Sequence, residues 1–285
     1  MSETIYLNGK FIAKDDAFIS PEDRGFNFAD GIYEVIKYYH GQPFRYEDHL
    51  ERLLRSLHEI RIGFEDFGQL ESVFRKLLEK NELAGQDAGI YLQITRGSQT
   101  RIHRFPENTK PTVYATAFPF ASKTDQLEHG IKVITTEDIR WLRCDIKSIS
   151  LLPNVLAAEK AHEQDAMEAI FIRNGIVTEG SHSSFLAVKN GVVYTHPDSN
   201  LILPGITKKV VLEICKAHNI EVVEEGIPAS DLAAMDEMMI VGTGSEVTPV
   251  VQLDGILVGT GEPGTLTRFI QEKFFEQAKF IPENH

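Results

Sequence analysis

The sequence feature that most limits the fold is a dipeptide of asparagine or aspartate followed by glycine, set between apolar segments. It stands at Asn8-Gly9, Asn174-Gly175, Asn190-Gly191 and Asp254-Gly255. Both residues of such a pair accept the positive φ that the two-residue turn of a β-hairpin requires. We therefore predict many antiparallel hairpins, which disfavours a purely parallel, doubly wound sheet.

Length and periodicity divide the chain further. Its 285 residues approach the size, roughly 250–300 residues, at which single hydrophobic cores stop growing. We predict an N-terminal α/β domain over 1–119, a linker over 120–125 and a larger C-terminal domain over 126–285. Apolar spacing and composition predict helices over 46–61, 66–80, 155–166, 208–217 and 264–279, strands over 32–38, 89–97, 111–118 and 131–136, and a polar loop over 20–31.

Charge and cysteine content exclude several classes of protein. A net charge of −13 disfavours a nucleic-acid or anionic-membrane partner. Cys144 and Cys215 are too few for a disulfide framework or a cysteine-rich zinc site, and we expect no metal. No apolar stretch approaches the ~20 residues of a membrane-spanning helix, so we expect a cytoplasmic protein.

Lys147 is the strongest candidate for chemistry. It lies between the charged run Asp138 to Asp145 and an apolar segment that includes Ile146, Ile149, Leu151 and Leu152, which we expect in a core. Burial and positive neighbours such as Arg140 and Arg143 both favour the neutral amine that imine chemistry needs. The alternative is a surface lysine whose aliphatic stem packs on apolar groups.

Two further pairs of residues project polar groups together. Tyr33 and Lys37 share one face of a predicted strand, so a hydroxyl and an ammonium would point the same way, although that face could equally meet solvent. Arg101 and His103 stand two apart on a predicted loop and together could grip a carboxylate, the alternative being a basic loop tip. Periodicity places Arg52 on the polar face of its helix, where an arginine is normally solvated.

Two turns resemble phosphate sites. Gly205, Ile206 and Thr207 begin a predicted helix and offer free N–H groups, a hydroxyl and the positive end of the helix dipole. The Gly242-Thr243 turn follows a strand and lacks the Walker pattern, which argues against a nucleotide-phosphate enzyme. Alone, the first is an ordinary helix N-terminus.

A lysine for an imine, a carboxylate for a ring nitrogen and a helix N-terminus for a phosphate together match pyridoxal phosphate. The blocks Asp138-Ile-Arg-Trp-Leu-Arg-Cys-Asp-Ile-Lys147, Val177-Thr-Glu179-Gly-Ser and Leu203-Pro-Gly-Ile-Thr207 resemble the class IV aminotransferases, the fold-type IV enzymes that use this cofactor. The block from Arg24 to Val35, together with Arg96-Gly and Arg101-Ile-His103, is most similar to the D-amino acid aminotransferases.

This resemblance implies an α+β two-domain fold with a smaller N-terminal α/β domain and a larger cofactor-binding C-terminal domain with a β-barrel-like core. It implies a homodimer that transfers amino groups between D-amino acids (D-alanine, D-glutamate or D-aspartate) and 2-oxo acids such as 2-oxoglutarate or pyruvate. The alternatives within the family are a branched-chain L-amino acid aminotransferase and an aminodeoxychorismate lyase; outside it, a non-catalytic protein that binds the cofactor.

The resemblance also implies roles for residues. Lys147 would bond the cofactor and move the substrate's Cα proton, and Glu179 would hold the ring nitrogen protonated. Leu203 would lie against the ring. Contacts to the phosphate would come from Arg52, Ile206, Thr207 and Thr243. The substrate carboxylate would be held by Tyr33, Arg101 and His103, the last two supplied by the partner subunit.

Two positions depart from the family pattern. His182 stands in a turn that is all serine and asparagine in the related enzymes, and Gly242 replaces a usual serine. Both changes bear on cofactor affinity and pocket shape, while neither touches the imine chemistry.

Overall fold

The computed structural model describes residues 3–121 and 123–278 and divides them into two compact units. The first comprises 3–121 and 146–150, and the second comprises 123–145 and 151–278. Lys147 therefore belongs to the first unit, whereas the predicted division assigned it to the C-terminal domain. The domain boundaries at 120–125 stay a prediction.

The first unit is a six-stranded sheet with helices packed on it. Its strands are β1 (Thr4–Leu7), β2 (Lys10–Ala13), β3 (Gly31–Tyr39), β4 (Gln42–Pro43), β5 (Ala88–Thr95) and β6 (Thr112–Pro119), and its helices are α1 (Arg24–Phe28), α2 (Tyr46–Glu59) and α3 (Leu70–Lys80). The strand order is β2-β1-β6-β5-β3-β4, with every pairing antiparallel. Apolar side chains of α2 and α3, such as Leu53, Phe74 and Leu77, form the core with alternate residues of β3 and β5, including Ile36 and Ile90.

The second unit is built on a nine-stranded mixed sheet. Its strands are β7 (Ile131–Glu137), β8 (Glu168–Arg173), β9 (Ile176–Gly180), β10 (Ser184–Lys189), β11 (Val192–Thr195), β12 (Val222–Glu224), β13 (Glu237–Gly242), β14 (Glu246–Leu253) and β15 (Ile256–Leu257). Its helices are α4 (Thr124–His129), α5 (Leu152–His162), α6 (Ile206–Ala217) and α7 (Thr265–Ala278). The pairs β7–β8, β11–β12 and β14–β7 are parallel. In the first two, α5 and α6 provide the crossovers that parallel pairing requires.

The sheet of the second unit curls back on itself. Its order runs from β12 through β14 and β7 to β9. Beyond β12, the carbonyl of Ile227 accepts a hydrogen bond from the N–H of Val177 in β9 at 2.8 Å, and Pro228 bridges to Ile176. The two ends of the sheet thus meet. The α+β fold with a barrel-like core in its larger part is confirmed.

The four predicted hairpin turns are confirmed. Each turn has positive φ at both central residues, for example 52° at Asn174 and 80° at Gly175. These turns connect β1 to β2, β8 to β9, β10 to β11 and β14 to β15. A two-residue turn of this geometry matches the twist of the strands that it joins.

The loop predicted over 20–31 is partly wrong, since α1 lies inside it. Asp23 caps this helix by accepting from the N–H of Gly25 at 2.8 Å, and Arg24 donates to the distant carbonyl of Ile102 at 2.6 Å. The second contact is non-local, so the local sequence could not reveal it.

None of the helices in the described part of the chain combines the length and the apolar composition of a membrane span.

Candidate active site

Both main-chain polar groups of Lys147 are hydrogen-bonded, which fixes its backbone. Its carbonyl accepts from the N–H of Tyr33 at 3.0 Å, and its own N–H donates to Oγ of Ser56 at 3.3 Å. Its Nζ lies 4.3 Å from the centre of the Tyr33 ring. Within residues 3–121 and 123–278 this amine makes no hydrogen bond or ion pair. It is therefore held in place and chemically available.

The predicted surroundings of Lys147 hold only in part. Ile146 is buried, whereas Leu152, expected in a core, is 69% exposed because it begins α5 on its outer face. Arg140 and Arg143 were expected as positive neighbours. Each is paired with carboxylates of the second unit, Arg143 with Asp145 at 3.0 Å.

The prediction that Arg52 is solvated is wrong. Arg52 is 7% exposed, and its Nε and Nη2 donate to the two carboxylate oxygens of Glu34 at 2.7 and 2.9 Å. Glu34 projects from β3 toward α2 and also contacts Nδ1 of His49 at 2.8 Å. A helical wheel could not anticipate this, because the strand supplies the charge that draws the guanidinium inward.

Electrostatics fix the charges in this cluster. Burial alone would raise the pKa of Glu34, but the Arg52 charge and the His49 hydrogen bond lower it far below its usual value. Burial lowers the pKa of His49, and the nearby charges of Arg52 and Lys147 lower it further against the effect of Glu34. Since a carboxylate only accepts, a neutral His49 donates from Nδ1. Glu34 and Arg52 are thus both ionised beside a neutral imidazole.

The candidate substrate residues lie on one strand and one loop of the first unit. Arg101 and His103 are exposed, and both pack against Phe28, with the Arg101 guanidinium 4.9 Å and the His103 ring 5.4 Å from its centre. Arg24 holds the loop between them through the carbonyl of Ile102. The structure therefore brings the predicted pair together. Both side chains pack against α1, a short helix that the sequence did not predict. Tyr33 is half-buried on β3.

Lys37, on the same strand face as Tyr33, does not meet solvent. It is buried, with Nζ 4.6 Å from the centre of the Tyr39 ring and 4.2 Å from that of Phe120. Two aromatic faces stabilise its charge.

Glu179 is the penultimate residue of β9 in the second unit, where two kinds of donor reach it. Nη1 of Arg140 donates to Oε1 at 2.5 Å, and the N–H of Leu203 is shared between the two oxygens at 3.2 and 3.1 Å. Burial is the largest influence and raises the pKa of Glu179 to about 7, against the opposing effect of Arg140. This carboxyl therefore titrates near neutral pH.

Arg140 serves two carboxylates at once. Its Nε and Nη2 donate to Asp138 at 2.9 Å each, which leaves Nη1 for Glu179. Arg173 also pairs with Asp138 at 2.9 Å. Although burial opposes it, these arginine contacts lower the pKa of Asp138 to about 2. Because Asp138 takes two of the Arg140 donors, less of the guanidinium is available to stabilise the ionised form of Glu179.

The two candidate phosphate turns are also built in the second unit. Gly205 begins α6 without any side-chain cap, so the first N–H groups of this twelve-residue helix remain available near Ile206 and Thr207. Thr243 lies in the turn between β13 and β14 and is partly exposed. A side chain at Gly242 would find its nearest neighbours, in His182 and Ser183, at 3.7 Å, which is ordinary contact distance.

Sequence reasoning missed the residues that surround the candidates. Glu34, His49 and Glu168 gained no role from motif or periodicity, and the pairing of Arg140 with Asp138 and Glu179 was not predicted. Glu34 offered a signal, since it occupies a core-facing position between Ile32 and Ile36 of an apolar strand. A carboxylate at such a position requires a buried cation.

Comparison with known proteins agrees with this arrangement. The family model of class IV amino-transferases matches residues 31–253. The chain belongs to the class IV aminotransferases. This family depends on pyridoxal phosphate.

Individual class IV aminotransferases are similar over almost their whole length. The D-alanine aminotransferase of Staphylococcus haemolyticus is 46% identical over 275 residues, covering 95% of this chain and 96% of the relative. That of Bacillus licheniformis is 40% identical over 268 residues, 94% of each chain. Among solved class IV structures, the branched-chain amino acid aminotransferase of Escherichia coli superposes with a TM-score of 0.91 at 27% identity, covering 99% of this chain and 97% of that one. The branched-chain aminotransferase of the archaeon Thermoproteus uzoniensis, solved with norvaline, gives 0.86 at 27% identity, covering 98% and 96%.

Proposed function

We propose that the protein is a pyridoxal-phosphate-dependent D-amino-acid aminotransferase. The observation that carries this proposal is the 40–46% identity to D-alanine aminotransferases across about 95% of the chain, as against 27% to the branched-chain enzyme. The donor and the acceptor that we propose are a D-amino acid, namely D-alanine, D-glutamate or D-aspartate, and a 2-oxo acid such as 2-oxoglutarate or pyruvate.

The residues present fit the cofactor. The fit rests on the Lys147 amine, which has no hydrogen bond or ion pair within the described residues, and on an α6 N-terminus that no side chain caps. It also rests on Glu179, because a carboxyl with a raised pKa can lose its proton and become negatively charged when a cation binds beside it. When bound, the cofactor supplies an electrophilic carbonyl and a ring that accepts the electron pair of the Cα–H bond.

Each residue of the chain has a distinct task in this proposal. Lys147 binds the cofactor and, once released by the substrate, carries the proton removed from Cα. Glu179 stabilises the protonated ring nitrogen, and Arg140 orients Glu179. Leu203 packs on the ring, and its N–H holds Glu179 in line. The phosphate is held by Arg52, Ile206, Thr207 and Thr243.

Tyr33, Arg101 and His103 are proposed to bind the substrate α-carboxylate. A planar guanidinium and an imidazole, both packed on Phe28, provide donors with a defined separation. We propose that a second copy of the chain supplies Arg101 and His103, so the working unit is a homodimer. The apolar residues Leu152, Val155 and Leu156, exposed at 69%, 59% and 55% along one side of α5, are suited to such an interface. We also propose a cytoplasmic location, on the basis of composition.

Covalent mapping tests the role of Lys147. Borohydride reduction of the purified protein, followed by peptide mass spectrometry, should place one phosphopyridoxyl group on Lys147. The Lys147→Ala variant should lose turnover, while Lys37→Ala, which alters a buried lysine of the same unit, should keep the label on Lys147. A label elsewhere, or full turnover by Lys147→Ala, would refute the proposal.

The second candidate is a branched-chain L-amino acid aminotransferase, favoured by the TM-score of 0.91. Steady-state rates with D-alanine and L-leucine separate the two. A higher kcat/KM with L-leucine would leave the cofactor and fold in place and overturn the assignment of Arg101 and His103.

A further inference from the structure

The loop between β5 and β6 carries Arg101 and His103 on irregular backbone. Residues 99–105 belong to no helix or strand, so the hydrogen bonds of a regular element do not fix them. The main chain of this loop is nevertheless tied to the first unit by one side chain. Arg24 donates from Nη1 to the carbonyl of Ile102 at 2.6 Å and from Nη2 to that of His103 at 3.5 Å. A single guanidinium therefore holds the backbone that carries the two candidate carboxylate ligands.

Asp30 holds that guanidinium in turn. Its Oδ2 accepts from Nε of Arg24 at 2.7 Å and from Nε of Arg96 at 2.8 Å, and its Oδ1 accepts from Nη2 of Arg96 at 2.9 Å. The side chains of Asp30, Arg24 and Arg96 are only 11%, 4% and 7% exposed. Burial opposes ionisation, but the hydrogen bonds from Arg96 and Arg24 lower the pKa of Asp30. One buried carboxylate thus fixes two arginines.

The two arginines have more donors than Asp30 can accept, and the loop supplies some of the missing partners. Nη2 and Nη1 of Arg96 also donate to the carbonyls of Ile60 and Arg61, just after α2, at 2.6 and 2.9 Å. The Phe105 ring of the loop lies 3.6 Å from the guanidinium carbon of Arg96. If the loop moved away, Nη1 of Arg24 would lose its carbonyl and Arg96 its aromatic face. Because both guanidinium groups are buried, this loss is unfavourable, and the loop stays in place.

The ring of Phe28 connects this cluster to the exposed ligands. Arg24 and Phe28 are the first and last residues of α1, four positions apart and so on one side of the helix. The guanidinium carbon of Arg24 lies 4.7 Å from the centre of the Phe28 ring, on which Arg101 and His103 also pack. Arg24 therefore contacts both the backbone of the loop and the ring that supports its two side chains.

We propose that Arg24, oriented by Asp30, is a positioning residue that keeps Arg101 and His103 at the spacing at which both bind one carboxylate. The inference rests on the proposed function, since it takes the α-carboxylate of an amino acid or a 2-oxo acid as the ligand. Its physical basis is preorganisation, because a loop already held in its binding conformation loses less conformational entropy when the ligand arrives. The affinity for the α-carboxylate then depends on a side chain that does not touch it.

Steady-state kinetics of the cofactor-loaded protein test this inference. Arg24→Met should raise the KM for D-alanine by roughly 10- to 100-fold, the range for a misplaced ligand. It should change kcat by less than about threefold, because the carboxylate is bound equally in the ground state and the transition state. The dissociation constant of pyridoxal phosphate should also change by less than about threefold. Arg104→Met, which alters an exposed arginine of the same loop, is the matched control and should leave all three values unchanged.

Three results would overturn the positioning role of Arg24. An unchanged KM for D-alanine in Arg24→Met would show that the loop does not need this contact. A kcat that falls as far as KM rises, or an equal loss of cofactor affinity, would show general damage to the first unit. A similar rise of KM in Arg104→Met would show that any lost positive charge on or near the loop has the same effect.

A double-mutant cycle shows whether the effect passes through Arg101. In the Arg101→Ala background, Arg24→Met should lose most of its effect on KM, because the ligand that it positions is already absent. The full effect in both backgrounds would mean that Arg24 acts independently of Arg101, which contradicts the inference.

A conservative variant keeps the inference testable if Arg24→Met fails to fold. Arg24→Lys keeps a positive charge beside Asp30 but lacks the planar fork that bonds the carboxylate and the loop carbonyls together. It should raise the KM for D-alanine several-fold, and a wild-type KM in this variant would overturn the role of the guanidinium.

Failure of this inference is distinct from failure of the proposed function. A raised KM in Arg101→Ala, together with wild-type KM in Arg24→Met and Arg24→Lys, would reject only the positioning role. Wild-type protein that does not turn over D-amino acids, or an Arg101→Ala variant with unchanged KM, would reject the proposed carboxylate site and this inference with it.

Discussion

Glu34 in the first unit and Glu179 in the second are both buried carboxylates that accept hydrogen bonds from an arginine. The pKa of Glu34 lies far below its usual value, whereas that of Glu179 rises to about 7. The difference lies in how many side-chain donors reach each carboxylate. Glu34 is contacted by Nε and Nη2 of Arg52 and by Nδ1 of His49. Arg140 gives Nε and Nη2 to Asp138 and only Nη1 to Glu179.

Burial therefore does not decide the charge state of a carboxyl by itself. The donors and positive charge that reach the carboxyl decide whether its pKa falls or rises. Glu34 is a permanent charge that holds Arg52 in place. Glu179 can lose or retain its proton near neutral pH, so an arriving cation such as a protonated ring nitrogen can set its charge. The first unit uses its buried Glu–Arg pair to position a side chain. The second unit uses a similar pair to tune a carboxyl that can change its charge.

The largest expected effect follows from removing the cation beside Glu34. Arg52→Met leaves a buried carboxylate unpaired and should lower the free energy of unfolding by about 3–5 kcal/mol. Urea unfolding of cofactor-free protein measures this. Arg55→Met, on the exposed side of the same helix, should change stability by no more than about 0.5 kcal/mol. Similar small losses for both variants would show that Glu34 does not depend on Arg52.

An exposed arginine should behave in the opposite way. Arg101→Ala should leave the free energy of unfolding unchanged but weaken transition-state stabilisation with D-alanine by about 2–5 kcal/mol, because the substrate carboxylate loses its partner. The ratio of kcat/KM values measures this, with Arg104→Ala on the same loop as the control. Unchanged kcat/KM would reject the carboxylate-binding role.

The raised pKa of Glu179 predicts a pH-dependent stability in the absence of cofactor. Between the ordinary value of 4.5 and about 7, the folded protein holds a proton that the unfolded chain has lost, so stability falls as pH rises through that window. The expected fall is about 3 kcal/mol. Unfolding free energies at pH 5 and pH 8 measure it.

Substitution separates this slope from other titrations. Glu179→Gln should remove the pH-dependent loss, while Glu34→Gln should leave it, because the depressed pKa of Glu34 places its own loss of stability in strong acid, as pH falls below its unfolded value. A wild-type slope that persists in Glu179→Gln would contradict the contrast between the two carboxylates.

The smallest expected effect concerns Thr178, whose hydroxyl donates to Oδ2 of Asp138 at 3.1 Å. Thr178→Val should cost about 0.5–1.5 kcal/mol of stability, whereas Thr178→Ser should retain most of the bond. Thermal unfolding of the two variants makes the comparison. Equal stability of Val and wild type would show that Arg140 and Arg173 alone hold Asp138.

What the sequence predicted well was local. The turn at Asn174-Gly175 needs only two residues that accept positive φ, and the helix of Leu53 needs only its own periodicity. Lys147 and Glu179 could be proposed because separate short blocks around them resemble one family. Such features carry their physical cause within a few residues.

What the sequence did not predict depends on residues far apart in the chain. Arg52 is buried because Glu34, 18 residues away, faces it from a strand. Helix α1 is held by a carbonyl 78 residues beyond Arg24. The hydrogen bond from the N–H of His182 to Glu168 forms only when the turn after β9 folds over β8. Long-range pairing of this kind is set by tertiary packing, which no local pattern encodes.

The most direct test is an anaerobic spectral titration of the purified, cofactor-loaded protein with a single amino acid and no 2-oxo acid. With D-alanine, the visible band of the protein-bound cofactor should convert to the near-ultraviolet band of the amine form, and L-leucine at the same concentration should leave it unchanged. Conversion by L-leucine alone would contradict the assignment to D-amino acids, and a protein that gains no visible band from added cofactor would contradict the roles of Lys147 and Glu179.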